Sequence, residues 1–338
     1  MSEMDRTFDF IDYLEADVSL KILSQLDDPS DLVRVCSVSR LWRRFVIEHN
    51  LSKQLCLKKF PDISSAAQGI EANGMIEPVN VGLGYSAEWE CLKRKHKVYS
   101  FLAKGLSPTM REDCLFKAIS ASSTDNFPTE SVEHTLEESD TVEHRYSYWS
   151  SEGKNDTAIP ETLLYNLVAN LCFITEIRIH PFQAYFQVGF PIYSSKAIRF
   201  RIGHLRNVAE LTNDFPFHSG SHQLDDDRFI WTYTSPEFPM AQQNSLQKFE
   251  LPEPVLCFGG LLLVELLGRV QIQQADGLYY ICISHVQVAG RPLSPAFDLE
   301  LLDPQGKWGL KYQPRTECSV NSPNEEVGEP FAYFDLKE

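Results

Sequence analysis

The chain has 338 residues, 43% hydrophobic and 23% charged, which is typical of globular proteins and long enough for about two domains. Its 47 acidic and 31 basic residues give a formal net charge of −16, which disfavours nucleic acids and anionic membranes as partners, because both attract clustered Lys and Arg. The acidic, polar start MSEMDRTFDF predicts no secretory signal, and no apolar run is long enough to span a bilayer.

Eight cysteines are spread along the chain, and none forms a Cys-x-x-Cys pair. This spacing supports neither a zinc knuckle nor a thioredoxin-type redox site. Most of the cysteines stand among apolar residues, as in Ile281-Cys282-Ile283. We therefore expect buried, reduced thiols, no cofactor, and a protein of the nucleus or the cytoplasm or both.

Residues 9–57 have the apolar periodicity of three short helices. The breaker Asp27-Asp28-Pro29 ends the first helix, and Ser30 is a candidate cap for the second. Trp42 lies on the apolar face of the third helix, whose arginines face solvent. Three helices of this length bury little apolar surface when they stand alone.

Residues 58–121 are predicted to be a helical spacer. One helix is expected over about residues 85–106, and another over about residues 108–121. Residues 122–144 are predicted to be a linker, because the stretch 124–144 holds seven acids and no Lys or Arg. Such a composition is typical of disorder or of a loosely held surface strap.

Residues 145–338 are predicted to be rich in β-strands. In KAIRFRIGH, apolar Ile198, Phe200 and Ile202 alternate with basic residues, and TEIRIHPF alternates in the same way. Asp276-Gly277 predicts a hairpin turn, which with GGLLLVELLG would form a three-stranded meander. Many short strands with Gly and Pro between them favour a β-sandwich, so the fold class is α+β multidomain.

The opening stretch FIDYLEADVSLKILSQLDDPSDLVRVCSVSRLWRRFV resembles an F-box in the order and spacing of its apolar residues and breakers. The resemblance covers about residues 9–57 and implies binding to the Skp-type adaptor of a cullin-RING ubiquitin ligase. The positions that match the family and would contact the adaptor are Leu14, Val18, Ile22, Leu23, Leu26, Leu32, Val35, Val38 and Trp42. The adaptor would then complete the apolar core of the three helices.

Two positions depart from the F-box pattern. The family's Pro after Leu14 is Glu15 here, and its frequent Leu-Trp after the third helix is Leu51-Ser52. The Pro helps to fix the chain where it enters the first helix. Both departures therefore put the affinity for the adaptor in question, and the helices could instead be the core of an ordinary helical domain.

The β-rich part is similar to discoidin-like and galactose-binding-like sandwiches, which have a jelly-roll architecture. The similarity rests on YWSSEG at residues 148–153 and on IRIHPFQAYFQVGFPIYSSKAIRFRIG. The pairing of this part with an F-box resembles a group of plant F-box proteins. The similarity implies a fold, and no ligand follows from it.

Recognition residues concentrate in loops, so HPFQAYFQVGFPIY is the candidate target-binding segment. Its aromatic residues would be hot spots if they were exposed, and otherwise they belong to the core: Phe182, Tyr185, Phe186, Phe190 and Tyr193. His218, His222 and residues 225–227 are residue types that bind metals, but the spacing is that of a zinc site only on a helix, which Gly220 disfavours. We predict no metal.

No catalytic motif stands out, so the sequence predicts a protein that is not an enzyme. The favoured function is the substrate-recognition subunit of a Skp–cullin–F-box ubiquitin ligase with an unknown protein or glycoprotein target. Two alternatives stay open. One is a glycan-binding module, and the other is a scaffold that binds the adaptor outside any ligase.

Overall fold

A computed structural model describes residues 10–64, 67, 87–106, 111, 113–142, 145–206, 226–293, 297–301 and 308–312. The N-terminal part is helical. Its helices are α1 (Phe10–Tyr13), α2 (Ala16–Leu23), α3 (Pro29–Val38), α4 (Arg40–Glu48), α5 (Leu51–Lys59) and α6 (Ala87–Gly105). The helix expected over about residues 85–106 is thus confirmed as α6. Within the part of the chain described, no helix is long and apolar enough to cross a membrane.

Local capping explains where the helices begin. The Asp28 carboxylate accepts a hydrogen bond from the Ser30 backbone N–H at 2.8 Å, with Pro29 as the first residue of α3. Asp28, not Ser30, is therefore the cap. The Ser39 hydroxyl accepts from the Trp42 N–H at 3.2 Å and starts α4 directly after α3.

Helices α1 to α5 share a small apolar core. Its buried members are Leu23, Leu32, Phe45, Val46, Leu51 and Leu55. The Phe10 ring meets the Trp42 ring edge-on, with centroids 4.6 Å apart, and extends the core on one side. A core of this size stabilises the helices only modestly, so neighbouring surfaces matter for this unit.

The remainder of the chain forms two antiparallel sheets. The larger has the strand order β1-β5-β12-β8-β10, with β9 also paired to β8, and the smaller has the order β11-β6-β15-β4, with β7 paired to β6. The strands of the larger sheet are β1 (Leu115–Ala121), β5 (Glu161–Leu167), β8 (Ser195–Leu205), β9 (Phe229–Thr234), β10 (Phe238–Pro239) and β12 (Leu261–Arg269). Those of the smaller are β4 (Trp149–Ser150), β6 (Leu171–Gln183), β7 (Ile192–Tyr193), β11 (Gln247–Phe258) and β15 (Cys282–Pro292).

Three short ladders complete the described strands. They are β2 (Thr141–Val142) with β3 (Arg145–Tyr146), β13 (Gln271–Ile272) with β14 (Tyr279–Tyr280), and β16 (Phe297–Leu301) with β17 (Trp308–Tyr312). The Asp276-Gly277 turn is confirmed, with Gly277 at φ +76° between β13 and β14. The predicted meander is wrong, because β12 belongs to the larger sheet and β15 to the smaller one. The β13–β14 hairpin is the connection between these two strands along the chain.

The two sheets pack face to face and confirm the predicted β-sandwich. Ile198, Phe200 and Ile202 of β8 are fully buried, as their alternation predicts. Ile177 and Ile179 of β6 are equally buried on the facing sheet. Both sets belong to one apolar cluster between the sheets, which is the main core of the molecule.

The sandwich begins earlier in the chain than residue 145, the start predicted from the sequence. Residues 115–121, predicted to be helical, form strand β1, which pairs with β5. The predicted loose linker is ordered over residues 122–142, where Val132 and Thr135 are buried and the Thr135 hydroxyl lies 2.8 Å from the Tyr165 hydroxyl. We therefore propose that the sandwich domain begins near residue 113.

The helical unit packs directly on the sandwich. A second apolar cluster joins helical residues, among them Phe60 and Leu102, to sandwich residues, among them Phe173 and Phe258. The guanidinium of Arg291 donates to the Asp62 carboxylate at 2.9 Å and stands 5.4 Å from the centre of the Phe60 ring. The two parts therefore share a core rather than being tethered by a linker.

Candidate functional site

The first candidate surface lies on α2 and the turn before it. Val18 and Ile22 are 41% and 46% exposed, and Leu14, which precedes the helix, is 37% exposed. Residues four apart in a helix lie on the same face, so Val18 and Ile22 project together. We call Leu14, Val18 and Ile22 the α2 surface. It is apolar and accessible, as a docking surface requires.

The other predicted adaptor-binding residues divide by burial. Val38 is 60% exposed, whereas Leu26, Val35 and Trp42 are partly buried around the core of the helical unit. Leu23 and Leu32 are 5% and 4% exposed and belong to that core. Both are therefore core residues of this chain, and their predicted contact with an adaptor stays untested: successive helical residues point about 100° apart, so Leu23 turns towards the core while Ile22 faces outwards.

Helices α1, α3 and α4 also expose three apolar side chains that the family pattern does not single out. Tyr13 is 73% exposed, Val33 40% and Leu41 38%. Their exposure could not be read from periodicity, because an apolar repeat does not tell which apolar side chains a helix buries and which it exposes. We add them to the residues available to a partner.

Neither departure from the F-box pattern disturbs the α2 surface. Glu15 has φ −60° and ψ 148°, values that a proline would also adopt, so the chain enters α2 as the family's Pro would direct it. Ser52 is 2% exposed, and its hydroxyl oxygen lies 2.9 Å from Nδ1 of His96 and accepts from the Ser100 hydroxyl at 2.9 Å. Ser52 therefore joins α5 to α6 and does not face a partner.

The environment of His96 keeps its ring neutral near pH 7. Burial, and secondly the charge of Arg43, lower the pKa of His96 from 6.5 to about 4. A neutral ring can exchange a hydrogen bond with the Ser52 hydroxyl without a buried charge. We therefore expect acid to weaken the contact between α5 and α6.

The second candidate surface lies on the loop between β6 and β7. Phe186 and Phe190 are 55% and 56% exposed, Val188 is 90% exposed and Tyr185 is 42% exposed. Tyr146, which the sequence did not flag, is 40% exposed beside them. We call Tyr146, Tyr185, Phe186, Val188 and Phe190 the aromatic surface.

The rings of the aromatic surface contact one another. The Tyr146 ring lies 5.3 Å from the Phe186 ring and is stacked with the Tyr185 ring at 6.5 Å, measured between centroids. Tyr185 in turn lies 6.4 Å from Phe190. These distances are typical of interacting aromatic pairs, so the residues form one patch rather than scattered exposed rings.

Phe182 and Tyr193, the other two predicted target-binding residues, are buried, at 1% and 2% exposed. The Phe182 ring stacks on the Tyr148 ring with centroids 3.8 Å apart. The Tyr193 hydroxyl donates to Oε1 of Gln187 at 2.6 Å. Both residues lie on paired strands with inward side chains, so they support the loop and are corrected to core positions.

Asn244 fixes the loop from a distant part of the chain. Its Nδ2 donates to Oε1 of Gln183 at 2.9 Å and to the Tyr185 hydroxyl at 2.6 Å, and its Oδ1 lies 2.8 Å from Nε2 of His180. Phe190 has φ +50°, in the left-handed region, and its carbonyl accepts from Nε2 of Gln183 at 3.0 Å. No sequence pattern predicts this role of Asn244, because its hydrogen-bond partners lie about sixty residues away along the chain.

The Trp-Ser motif of the sandwich has a structural role. Trp149 is fully buried, and its indole N–H donates to the Ser123 carbonyl at 3.0 Å. The Ser151 hydroxyl accepts from the buried guanidinium of Arg269 at 3.0 Å, and the same guanidinium pairs with the buried carboxylate of Glu161. These interactions hold the 122–142 segment and the motif against the sandwich.

Of the residues weighed as metal ligands, the structure describes only Asp226 and Asp227. His218, His222 and Asp225 lie outside the described residues. Asp226 is paired with the guanidinium of Arg201 at 3.0 Å and with the indole N–H of Trp231 at 2.6 Å. Elsewhere in the described segments, no group of three or more His, Cys, Asp or Glu is arranged to hold a metal ion.

The cysteines that the structure describes are free thiols, and five of the seven are buried. Burial raises the pKa of Cys56 to about 12 and that of Cys114 to about 11, and the charge of Arg111 opposes the second shift. Thiols with such pKa values are protonated at neutral pH and react slowly. They act as small apolar side chains in the core.

Comparisons with known proteins support the resemblance of the helical unit to an F-box. A family model described as F-box-like matches residues 16–58, which run from the start of α2 to the penultimate residue of α5. F-box protein At4g00755 of Arabidopsis thaliana is 50% identical over 309 residues, which cover 90% of this chain and 81% of that protein. The chain belongs to the F-box proteins.

Solved structures that are similar to the sandwich include carbohydrate-binding modules. The family 32 module of C. perfringens NanJ in complex with galactose has a TM-score of 0.31 at 14% identity and covers 51% of this chain and 98% of the module. Allantoicase of Saccharomyces cerevisiae has a TM-score of 0.37 at 11% identity, over 61% of this chain and 55% of that enzyme.

Proposed function

We propose that this F-box protein is the substrate-recognition subunit of a Skp–cullin–F-box ubiquitin ligase, working in the nucleus or cytoplasm. The observation that supports this most is the α2 surface, whose exposed Val18 and Ile22 lie inside the segment that the F-box-like model matches. Exposed apolar residues in a row cost solubility unless a partner covers them. The Skp-type adaptor is the partner that F-box family membership implies.

The mechanism is proximity. The adaptor and cullin would hold the helical unit, while the sandwich would hold the target protein. Target lysines would then stay near a ubiquitin-charged enzyme that is bound to the same cullin, and a bimolecular encounter would become nearly intramolecular. In this proposal the chain supplies position and no reacting group.

The direct test measures the affinity of the purified full chain for a Skp-type adaptor, with Val18→Asp/Ile22→Asp as the variant. Burying a Val or Ile side chain at an interface contributes about 1.5–3 kcal/mol, so we expect affinity to fall by about 100-fold or more. Val33→Asp, on α3, reports whether the interface extends beyond the α2 surface. Equal affinity of the intact chain and the double variant would contradict the proposed adaptor site.

A glycan-binding module is the second candidate. It is favoured by aromatic rings that stand beside amide groups, since the Tyr185 hydroxyl accepts from Asn244 at 2.6 Å. A sugar ring can stack on exposed aromatic side chains while amides bond its hydroxyl groups. Screening the full chain on a glycan array tests this candidate. Binding of a glycan that disappears in Tyr185→Ala would support it.

A further inference from the structure

The loop that carries most of the aromatic surface is free of charged residues on an acidic protein, although Arg145 is exposed next to Tyr146. The chain carries a formal charge of −16, yet residues 180–195 and residues 240–247 contain no Asp, Glu, Lys or Arg. Hydrogen bonds from Asn244 to Gln183 and to Tyr185 bring these two segments together. A partner with charged side chains at its centre would leave those charges without a counterpart here, so the surface suits an uncharged partner.

The loop that carries the surface is held in one shape. The Ala184 N–H donates to the Pro191 carbonyl at 2.9 Å, and the Phe190 N–H donates to the Gln187 carbonyl at 3.1 Å. Phe182 and Tyr193 anchor both ends in a buried cluster. Exposed apolar side chains on a rigid support bind without a large loss of conformational entropy.

The polar groups of the surface are mostly engaged within the protein. Both amide hydrogens of Asn244 are donated internally, and the Gln183 amide nitrogen donates to the Phe190 carbonyl. A sugar needs several directed hydrogen bonds from groups that are free to make them. What remains accessible is mainly apolar: the rings of Phe186 and Phe190, and Val188 at 90% exposure. Such a surface suits apolar side chains of a protein better than sugar hydroxyls.

We infer that the aromatic surface docks an uncharged segment of the target protein that carries aromatic or large aliphatic side chains. This inference rests on the proposed function, in which the sandwich holds the target. Aromatic residues at the centre of an interface commonly supply most of its binding energy. Phe186 and Phe190 are the expected anchors, and Tyr146 and Tyr185 flank them.

The test selects a displayed library of random short peptides on the immobilised full chain and measures the affinity of enriched peptides in solution. The variant is Phe186→Ser/Phe190→Asn. Asn tolerates the left-handed backbone at position 190, so the loop can keep its shape while both rings are removed. The matched control is Phe116→Ser, which removes a ring that is 68% exposed on β1.

Enriched peptides should be uncharged at the centre and contain Trp, Tyr, Phe or Leu. Their Kd should weaken by about tenfold or more in the double variant and stay unchanged in the control. The inference is overturned if the enriched peptides are charged or bind the double variant equally, or if the intact chain enriches nothing beyond the double variant. Loss of a glycan-array signal in the double variant would also overturn it and assign the surface to a glycan.

Adaptor binding by the same variant separates this inference from the proposed function. Phe186 and Phe190 lie on the sandwich, so the double variant should bind the adaptor as the intact chain does. If the intact chain fails to bind the adaptor while the peptide result holds, the ligase role falls and the docking surface stands. If adaptor binding is normal and the peptide result fails, the docking surface alone is wrong.

Discussion

Ser52 departs from the F-box pattern, yet it lies inside the protein and not on a partner interface. The F-box pattern suggests a large apolar side chain where Ser52 stands, which would weaken adaptor binding if this position faced the adaptor. Instead Ser52 is buried against α6 and bonded to His96 and Ser100. The substitution therefore belongs to the way this protein joins its F-box to the next helix.

The environment of His96 predicts a specific loss of stability in acid. The pKa of His96 is about 4 in the folded protein, against an ordinary value of 6.5, so between these values the unfolded chain binds the proton more tightly. Stability is thus complete above pH 6.5 and falls as the pH is lowered towards 4, by roughly 1–3 kcal/mol. We expect urea unfolding midpoints to show this.

His96→Gln is the control for that measurement, because it keeps a polar side chain and removes the titrating ring. Carboxylates elsewhere titrate in both proteins, so the difference between them isolates His96. The variant should lose less stability than the intact chain between pH 7 and pH 4.5. Identical pH profiles would show that His96 is not protected from protonation in the folded protein.

At the scale of the element, two neighbouring residues of α2 have different roles: Leu23 packs in the core and Ile22 is exposed on the surface. Leu23 is 5% exposed and Ile22 is 46% exposed, although both are apolar. We expect Leu23→Ala to lower the free energy of unfolding of the helical unit by about 2–5 kcal/mol. Ile22→Ala should change it by about 0.5 kcal/mol or less while weakening adaptor binding. Chemical denaturation followed by circular dichroism measures both, and equal losses would contradict the assigned faces.

Sequence periodicity predicts where helices and strands lie better than it predicts which of their apolar side chains are buried and which are exposed. The apolar rows of α2 and β8 could be predicted, because burial on a helix or a strand leaves a repeat of fixed period. Leu23 could not be told from Ile22, because an F-box helix uses one apolar row for its core and another for its partner. The sequence indicates the aromatic residues around the loop after β6, but it does not separate Phe182 and Tyr193, which are buried on β6 and β7, from the exposed rings of the loop.

At the scale of the whole molecule, the helical unit and the sandwich behave as one body in this structure, because an apolar cluster spans them. The sequence did not predict this, since the acidic stretch 124–144 has the composition of a linker. The order of residues 122–142 comes from long-range pairings that no local pattern shows. Ser122 and Ser123 bond to Glu161, and the Ser123 carbonyl accepts the Trp149 indole N–H.

The shared core predicts that the two parts unfold together. Phe258→Ser would remove a ring that the sandwich contributes to this core, where Phe258 is 7% exposed. Loss of a buried aromatic side chain costs about 3–5 kcal/mol, so the helical unit should melt earlier than the sandwich in the variant. Calorimetry should show a single transition for the intact chain and two for Phe258→Ser. Phe116→Ser, at an exposed position, should keep the single transition.

A fixed joint between the two parts has a consequence for the proposed ligase. If the adaptor binds at the α2 surface and the target at the aromatic surface, a stiff connection sets the direction in which target lysines are presented. Rigid positioning raises effective concentration more than a flexible linker does. The packing of Phe60, Leu102 and Phe258 would thus contribute to function without contacting either partner.

The most direct test of the central claim is reconstitution of the full chain with a purified Skp-type adaptor and a cullin, followed by size-exclusion chromatography. We expect one complex that contains all three proteins, and its loss in Val18→Asp/Ile22→Asp while that variant stays folded. Recovery of the chain with the adaptor but without the cullin would favour a scaffold outside any ligase. Failure of the intact, folded chain to bind the adaptor would contradict the account altogether.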